Sequence, residues 1–144
     1  MTTAIINTDM NIGPFKIPGN GQNMILNNYA ERNKIIVEEI IPEPFMSNAL
    51  TTTQWVHKKK KLKKVILCSI HQLPQKQKRI EDLINTMDDV EFHFALESIF
   101  GKGSKFLLAC IKEAKIFKEA EIIDSSKTTW SELYKLKQET GKGS

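Results

Sequence analysis

Residues 65–70 form a nearly continuous aliphatic and β-branched run. Polar residues begin near its end, with Ser69 inside the run and His71 and Gln72 directly after it. A short run rich in Val, Ile and Leu is typical of a strand buried on both faces of a parallel sheet. In open parallel sheets, ligands bind in the crevice at the carboxyl ends of the strands. The polar residues therefore predict a ligand site where this strand ends.

A second run of the same kind covers residues 92–97, with His93 inside it and Glu97 at its end. Because the carboxyl ends of parallel strands meet at one edge of a sheet, we expect both residues to join Ser69 and His71 in one site. Repetition of the arrangement strengthens the prediction of a site but specifies no reaction.

Strand-like and helix-like patterns alternate four times along the chain. This order predicts parallel βαβ units with right-handed crossovers. We expect an α/β fold: a single three-layer domain with a mainly parallel four-stranded sheet. The predicted strands are 4–6, 34–40, 64–70 and 90–96. The first predicted helix starts near Gln22, the second spans 45–57 with Ser47 as its cap, and the third contains residues 80–87. The fourth follows the turn at residues 101–104 and has Ser104 as its cap.

The domain is predicted to span residues 1–123, and residues 124–144 to form a linker, a C-terminal helix and a tail. Residues 124–128 are polar, and Thr129-Trp130-Ser131-Glu132 fits a capping box that opens a helix. No signal peptide or apolar run of membrane-spanning length is present, so we expect a cytoplasmic protein without a membrane span.

The net charge of +4 is local in origin. Six lysines within residues 58–64 account for it, and the other 15 basic residues face 17 acidic ones, a balance of −2. Without interleaved aromatic residues the run has no base-stacking signature. A solvated segment is favoured, and nucleic acid is a disfavoured partner.

The sequence predicts neither a metal nor a redox cofactor. Cys68 and Cys110 lie in apolar stretches without Cys or His spacing typical of zinc sites, and buried, inert thiols are expected. No dinucleotide-binding glycine pattern occurs. The stretch 101–105, Gly-Lys-Gly-Ser-Lys, lacks the first glycine of a phosphate loop because position 96 is Leu.

His71 is the first candidate for proton transfer, since an imidazole titrates near neutral pH. Glu97 or Glu43 is its candidate partner. The alternative for His71 is a histidine that only hydrogen-bonds a loop. His93 lies inside its strand. It is either a core residue whose hydrogen bonds are satisfied within the protein or a member of the site.

The candidate substrate-binding residues are hydrogen-bonding side chains near the predicted strand ends and the first helix. Amide side chains beside free helix amides suit sugar hydroxyls or a phosphate. Simple helix capping is the competing interpretation. The set comprises Gln22, Asn23, Ser69, Gln72 and His93.

Three motifs, Ile17-Pro18-Gly19-Asn20-Gly21-Gln22-Asn23, residues 69–74 (SIHQLP) and residues 92–97 (FHFALE), together resemble the sporadic carbohydrate cluster protein family. The resemblance covers roughly residues 12 to 123. These small bacterial proteins occur among genes for surface-polysaccharide synthesis, lipopolysaccharide included. The resemblance implies a role in that synthesis and names no reaction.

The element order also resembles the catalytic domain of serine recombinases, the resolvase fold. Gln22 matches the glutamine that begins the first helix of that family, and Glu97 its later glutamate. Residues 71–75, His-Gln-Leu-Pro-Gln, replace the family's Asp-Arg-Leu-Gly-Arg motif, and Asn7-Thr8 stands near the expected Arg-x-Ser. Glutamine amides cannot replace guanidinium groups in stabilising phosphate charge. The resemblance therefore implies the fold, and its departures disfavour recombination.

We expect a protein that binds or modifies a sugar, sugar phosphate or nucleotide sugar at the strand ends, and the sequence leaves open whether it is an enzyme. One alternative is a non-catalytic partner or assembly protein for a carbohydrate-synthesis enzyme, with a homo-oligomer also possible. The other is a degenerate recombinase-like nucleic-acid binder that uses the lysine run.

Overall fold

The computed structural model describes residues 2–9, 12, 16–44 and 49–127, with side chains as far as residue 117 and at 119. The chain divides into two compact units, residues 1–114 and 115–144. The first unit holds the sheet and the predicted site. No helix within the described ranges is long and apolar enough to cross a membrane.

The described chain contains five strands and four helices, which alternate except where the fifth strand follows the fourth directly. The strands are β1 (Thr2–Thr8), β2 (Glu39–Glu43), β3 (Leu62–Leu67), β4 (Glu91–Phe94) and β5 (Ile99–Lys102). The helices are α1 (Gly19–Arg32), α2 (Thr51–Lys59), α3 (Gln77–Met87) and α4 (Ser104–Lys127), and a short 3-10 helix covers Ile70–Gln72.

The strands form one sheet in the order β2-β1-β3-β4-β5, in which β1 to β4 are parallel and β5 is antiparallel to β4. The predicted α/β class with a mainly parallel sheet is confirmed. The predicted count of four strands misses β5, which pairs Phe92 with Gly101 and occupies part of the segment predicted as a turn. A Cβ at Gly101 would lie 2.5 Å from the Phe106 ring, so glycine is needed for this close approach.

Side-chain alternation along the strands builds two cores, one on each face of the sheet. One core joins Ile5, Ile66 and Cys68 to Leu26 and Tyr29 of α1. The other core lies on the opposite face and is made by the alternate residues of β1, β3 and β4 with α2, α3 and the first part of α4. The domain therefore has the predicted three layers.

β2 starts later than the sequence suggested. Lys34 has a left-handed φ of 56°, and the Ile35 amide donates to the Ala30 carbonyl at 2.8 Å, so these residues end α1 instead of starting a strand. β2 then runs through Pro42. A proline is tolerated there because β2 is an edge strand.

Two predicted helix starts differ from those observed. α2 begins at Thr51, and the predicted cap Ser47 lies outside the described residues. The Ser104 amide donates to the Asp88 carboxylate at 3.0 Å, so Asp88 from the end of α3 serves the start of α4. α4 continues to Lys127, past Asp124 where the sequence predicted a linker. The predicted last helix, from Thr129, lies beyond the described chain.

Candidate ligand site at the strand ends

Ser69 and Glu97 meet where β3 ends. Ser69 Oγ donates to Glu97 Oε2 at 2.7 Å, and the Ile70 amide donates to Glu97 Oε1 at 2.9 Å. Ser69 is fully buried and caps the 3-10 helix by accepting from the His71 amide at 3.2 Å. Ser69 and Glu97 are therefore in direct contact, the His71 backbone is bonded to Ser69, and both Glu97 oxygens hold the turn.

Gln72 completes this turn. Its Oε1 accepts from the Cys68 amide at 2.8 Å and from the Ser69 amide at 3.3 Å, which fixes the orientation of the side-chain amide. The residue is only 9% exposed, and its Nε2 has no hydrogen-bond partner among the described residues. A buried donor without a partner carries a free-energy cost, so Nε2 is the unsatisfied group of this turn.

Gln22 holds the ends of β1 and the loop before α1 together. Its Oε1 accepts from the Thr8 amide at 2.9 Å, and its Nε2 donates to the carbonyls of Thr8 and Ile17, each at 2.8 Å. All three bonds are internal, and the side chain is fully buried. Gln22 therefore fixes the end of β1 against the loop before α1. It does not act as a helix cap, since α1 has no side-chain cap hydrogen bond.

Asn23 contacts Asn7, the residue near the end of β1. Asn7 Nδ2 donates to Asn23 Oδ1 at 2.8 Å, while the buried Asn7 Oδ1 has no partner in the described part of the chain. The pairing of Ile5 with Ile66, extended by two residues, puts Asn7 beside Cys68. The two unpartnered groups, Asn7 Oδ1 and Gln72 Nε2, thus belong to adjacent strand ends.

His71 is half-buried in the turn after β3. Its backbone is fixed by the bond to Ser69 Oγ, and that hydroxyl links it to Glu97. His71 is therefore positioned at the same strand end as the Gln72 amide. A role in proton transfer stays a prediction.

His93 does not lie at a strand end. It is buried within β4, where Nδ1 shares a hydrogen bond of 2.8 Å with the Tyr29 hydroxyl and the ring stacks on Phe100 with centroids 5.0 Å apart. Nε2 lies 3.1 Å from Glu91 Oε1. Burial lowers the pKa of the His93 imidazole, and the Glu91 carboxylate opposes that shift. The core interpretation of this histidine fits the structure.

Glu43 caps the amino end of α2 through its carboxylate. Its Oε1 accepts from the Thr53 amide and from Thr53 Oγ1, both at 2.6 Å, and Oε2 accepts from the Thr52 amide at 3.3 Å. A carboxylate at a helix amino end is stabilised by the free amides and the helix dipole. Glu43 is 2% exposed and acts as a cap, so the structure gives no support to pairing it with His71.

The two thiols are buried, and burial raises the pKa of Cys68 to about 12 and that of Cys110 to about 11. Both are therefore protonated at neutral pH and poor nucleophiles. Within the described ranges, no group of three or more His, Cys, Asp or Glu side chains is arranged to hold a metal ion.

Sequence reasoning missed Asn7 as a site residue. The available signal was a polar residue directly after the buried run Ala4-Ile5-Ile6, the same signal that identified Ser69 after β3. The hydrogen bond from Asn7 to Asn23 depends on how α1 packs against the sheet, and no pattern in the sequence predicts it.

One solved structure similar to this chain is the N-terminal catalytic domain of TP901-1 integrase. The match has a TM-score of 0.57 and 18% sequence identity, and it covers 84% of this chain and 99% of that one. No protein-family model matches the chain. No curated protein matches it either. At this identity the likeness shows the fold alone, and the chain has the resolvase-like fold of a serine recombinase catalytic domain.

Proposed function

We propose that the protein binds a small hydroxyl-rich ligand, a sugar, sugar phosphate or nucleotide sugar, at the carboxyl ends of β1 and β3. The observation that carries the proposal is the buried Gln72 Nε2, a donor without a partner among the described residues. Asn7 Oδ1, on the adjacent strand, offers an acceptor of the same kind. A donor and an acceptor at neighbouring positions match the two hydrogen-bonding roles of a sugar hydroxyl.

Binding is better supported than nucleophilic catalysis. Ser69 Oγ donates to Glu97 and accepts from the His71 amide, and the residue is fully buried, so its oxygen is not presented to a substrate. If a reaction follows binding, His71 is the residue we propose for proton transfer, because it is half-buried at the same strand end.

The biological setting we propose is bacterial surface-carbohydrate synthesis. This part rests on the resemblance of the motifs at residues 17–23, 69–74 and 92–97 to proteins of that setting. The strand-end hydrogen-bonding groups are compatible with a sugar ligand. A partner protein without a ligand of its own is the second candidate, favoured by the exposed apolar side chains Ile116 and Phe117 of α4.

Recombination is the less supported function, although the fold is that of a recombinase domain. The lysine run precedes and enters β3 and therefore lies at the amino edge of the sheet, whereas Ser69 and Glu97 lie at the carboxyl edge. Lys60 also pairs with Glu39 at 2.7 Å. Basic groups and the strand-end site thus occupy opposite edges, which does not favour a shared DNA-cleaving centre.

The test is thermal unfolding and calorimetric titration with a panel of sugars, sugar phosphates and nucleotide sugars. A ligand that binds only the native state raises the unfolding temperature. Gln72→Glu keeps the acceptor for the Cys68 and Ser69 amides but removes the Nε2 donor, so we expect affinity to fall on the order of tenfold.

Gln77→Glu, the same chemical change on the exposed face of α3, is the matched control and should leave affinity unchanged. Equal affinity in wild type and Gln72→Glu would contradict the site. No stabilisation by any member of the panel would contradict the binding function and favour the partner protein.

A further inference from the structure

A groove of about 570 Å³ lies between α2 and α3, on the sheet face opposite α1 and outside the strand-end site. On each helix the lining residues recur at three- and four-residue spacing, so each helix turns one face toward the groove. The lining residues that matter for its chemistry are Trp55 and Lys58 from α2 and Arg79, Asp82 and Asn85 from α3.

Trp55 supplies an aromatic surface in this groove. The residue is 59% exposed, which is unusual for a side chain of this size, and Lys59 Nζ lies 5.4 Å from the ring centroid. An exposed indole next to cations is a platform on which a nucleobase can stack. The expectation against nucleic acid rested on the lack of an aromatic among the lysines, and the fold places Trp55 beside them.

Arg79 supplies a charge that the described protein leaves unpaired. Its side chain is half-buried, and it makes no ion pair or hydrogen bond to any described residue. Lys58 is likewise without such a partner. The nearby carboxylate of Asp82 forms an exposed ion pair with Lys78 at 3.3 Å on the same helix. A partly desolvated guanidinium gains most from an anion that can accept two hydrogen bonds, such as a phosphate.

The two cations lie at opposite ends of the groove. α2 and α3 are both crossovers between parallel strands, so they run in the same direction. Lys58 ends the lining face of α2, whereas Arg79 begins that of α3, and seven residues of helix correspond to about 10 Å. Trp55 precedes Lys58 by about one turn of α2, toward the end of the groove where Arg79 begins the face of α3. The order cation, aromatic ring, cation matches a base flanked by phosphates.

We propose that the α2–α3 groove binds a nucleotide unit, with the base stacked on Trp55 and its phosphate held by Arg79. In a strand, the phosphate on the other side of the base is held by Lys58. The unit belongs to single-stranded nucleic acid or to a free nucleotide, and the two sources share this chemistry. The site is distinct from the strand-end site and does not depend on the function proposed for it.

Trp55 itself reports on the groove. The chain has two tryptophans, Trp55 and Trp130, so the full-length Trp130→Phe variant leaves Trp55 as the single fluorophore. We would titrate this protein with oligothymidylate, AMP, inorganic phosphate and a DNA duplex, following fluorescence and heat on the same samples. The expected result is quenching by oligothymidylate, with affinity that falls as salt rises.

Arg79→Gln should weaken this binding on the order of tenfold, and Lys58→Gln should weaken it less. Arg32→Gln removes the same charge from exposed α1 on the other face of the sheet and should have no effect. Circular dichroism of each variant verifies that the protein is folded. If AMP binds as well as the oligonucleotide, the ligand is the free nucleotide; if only the oligonucleotide binds, the ligand is a single strand.

Three results would overturn the proposal. Heat of binding without quenching would put the ligand elsewhere on the protein. Equal loss of affinity in Arg32→Gln and Arg79→Gln would show that affinity depends on the net charge of the protein and not on a contact with Arg79. Tighter binding of the duplex, or no binding of oligothymidylate and AMP, would exclude a stacked nucleotide unit.

Discussion

The strand-end turn and the α2–α3 groove differ in how their polar groups are used. At the strand ends, the side chains of Ser69, Glu97 and Gln22 form hydrogen bonds with neighbouring groups of the protein itself. In the groove, Trp55 is exposed and Arg79 is unpaired among the described residues. Polar residues at a strand end can therefore be structural, and the group available to a ligand can be a single atom such as Gln72 Nε2.

The comparison predicts a large loss of stability when the strand-end network is cut. Gln22→Ala would leave the Thr8 amide and the Thr8 and Ile17 carbonyls without their partner, and we expect the free energy of unfolding to fall by about 3 kcal/mol. Urea denaturation measures the change. Gln77→Ala, an exposed glutamine on α3, is the control and should change it by less than about 0.5 kcal/mol.

A loss in Gln22→Ala as small as that in the control would contradict the assignment of Gln22 as the residue that fixes the end of β1 against the loop before α1. It would mean that the loop before α1 reaches its conformation without these three bonds.

A smaller loss is expected for Glu97→Gln, which retains one acceptor oxygen for the two donors, Ser69 Oγ and the Ile70 amide. We expect about 1–2 kcal/mol, since hydrogen bonds to a charged group are worth more than neutral ones. A double-mutant cycle with Ser69→Ala measures the interaction energy between Ser69 and Glu97. Glu113→Gln, on the exposed face of α4, should be neutral, and additive effects at Ser69 and Glu97 would contradict their coupling.

The buried His93 predicts a pH dependence separate from both sites. Its folded pKa is lowered from 6.5, so the unfolded chain binds more protons below that pH. Stability should therefore be highest above pH 6.5 and be lost as the pH falls through the lower folded pKa, with a slope of at most about 1.4 kcal/mol per pH unit. His93→Gln should flatten this slope in denaturation curves, and an unchanged slope would exclude His93 as its source.

The groove should contribute least to stability. Arg79→Gln and Trp55→Ala remove exposed or half-buried side chains without described hydrogen bonds of their own, and we expect changes within about 0.5 kcal/mol of wild type. Chemical denaturation of both variants, beside Arg32→Gln, tests this. A loss above about 1.5 kcal/mol in Arg79→Gln would show that its guanidinium already has a structural partner, and the contrast between the two regions would fail.

The sequence was informative about the sheet and the position of the site because both follow from patterns of burial. The run at residues 65–70 predicted β3, which is observed at Leu62–Leu67. The polar residues near the two predicted strand ends were expected to share one site, and Ser69 and Glu97 are in contact there. β5 escaped detection because it is an exposed edge strand of four residues that contains Gly101. The apolar residues 35–37 were assigned to β2 although they follow the end of α1.

The hydrogen-bond partners could not be predicted, since they depend on tertiary packing. Glu43 was read as a partner of His71, but the position of α2 brings the Thr53 amide to its carboxylate. His93 was read as part of the site, but β4 turns it toward Tyr29 in the core. Lys58 and Arg79 likewise line one groove only because α2 and α3, which are separate in the sequence, lie side by side.

The most direct test of the strand-end site is a crystal structure of the protein with the panel ligand that binds most tightly. We expect a ligand oxygen within hydrogen-bond distance of Gln72 Nε2 and a ligand hydroxyl at Asn7 Oδ1, with the Ser69–Glu97 bond intact. A ligand bound elsewhere, with Gln72 Nε2 donating to a protein group, would contradict this expectation.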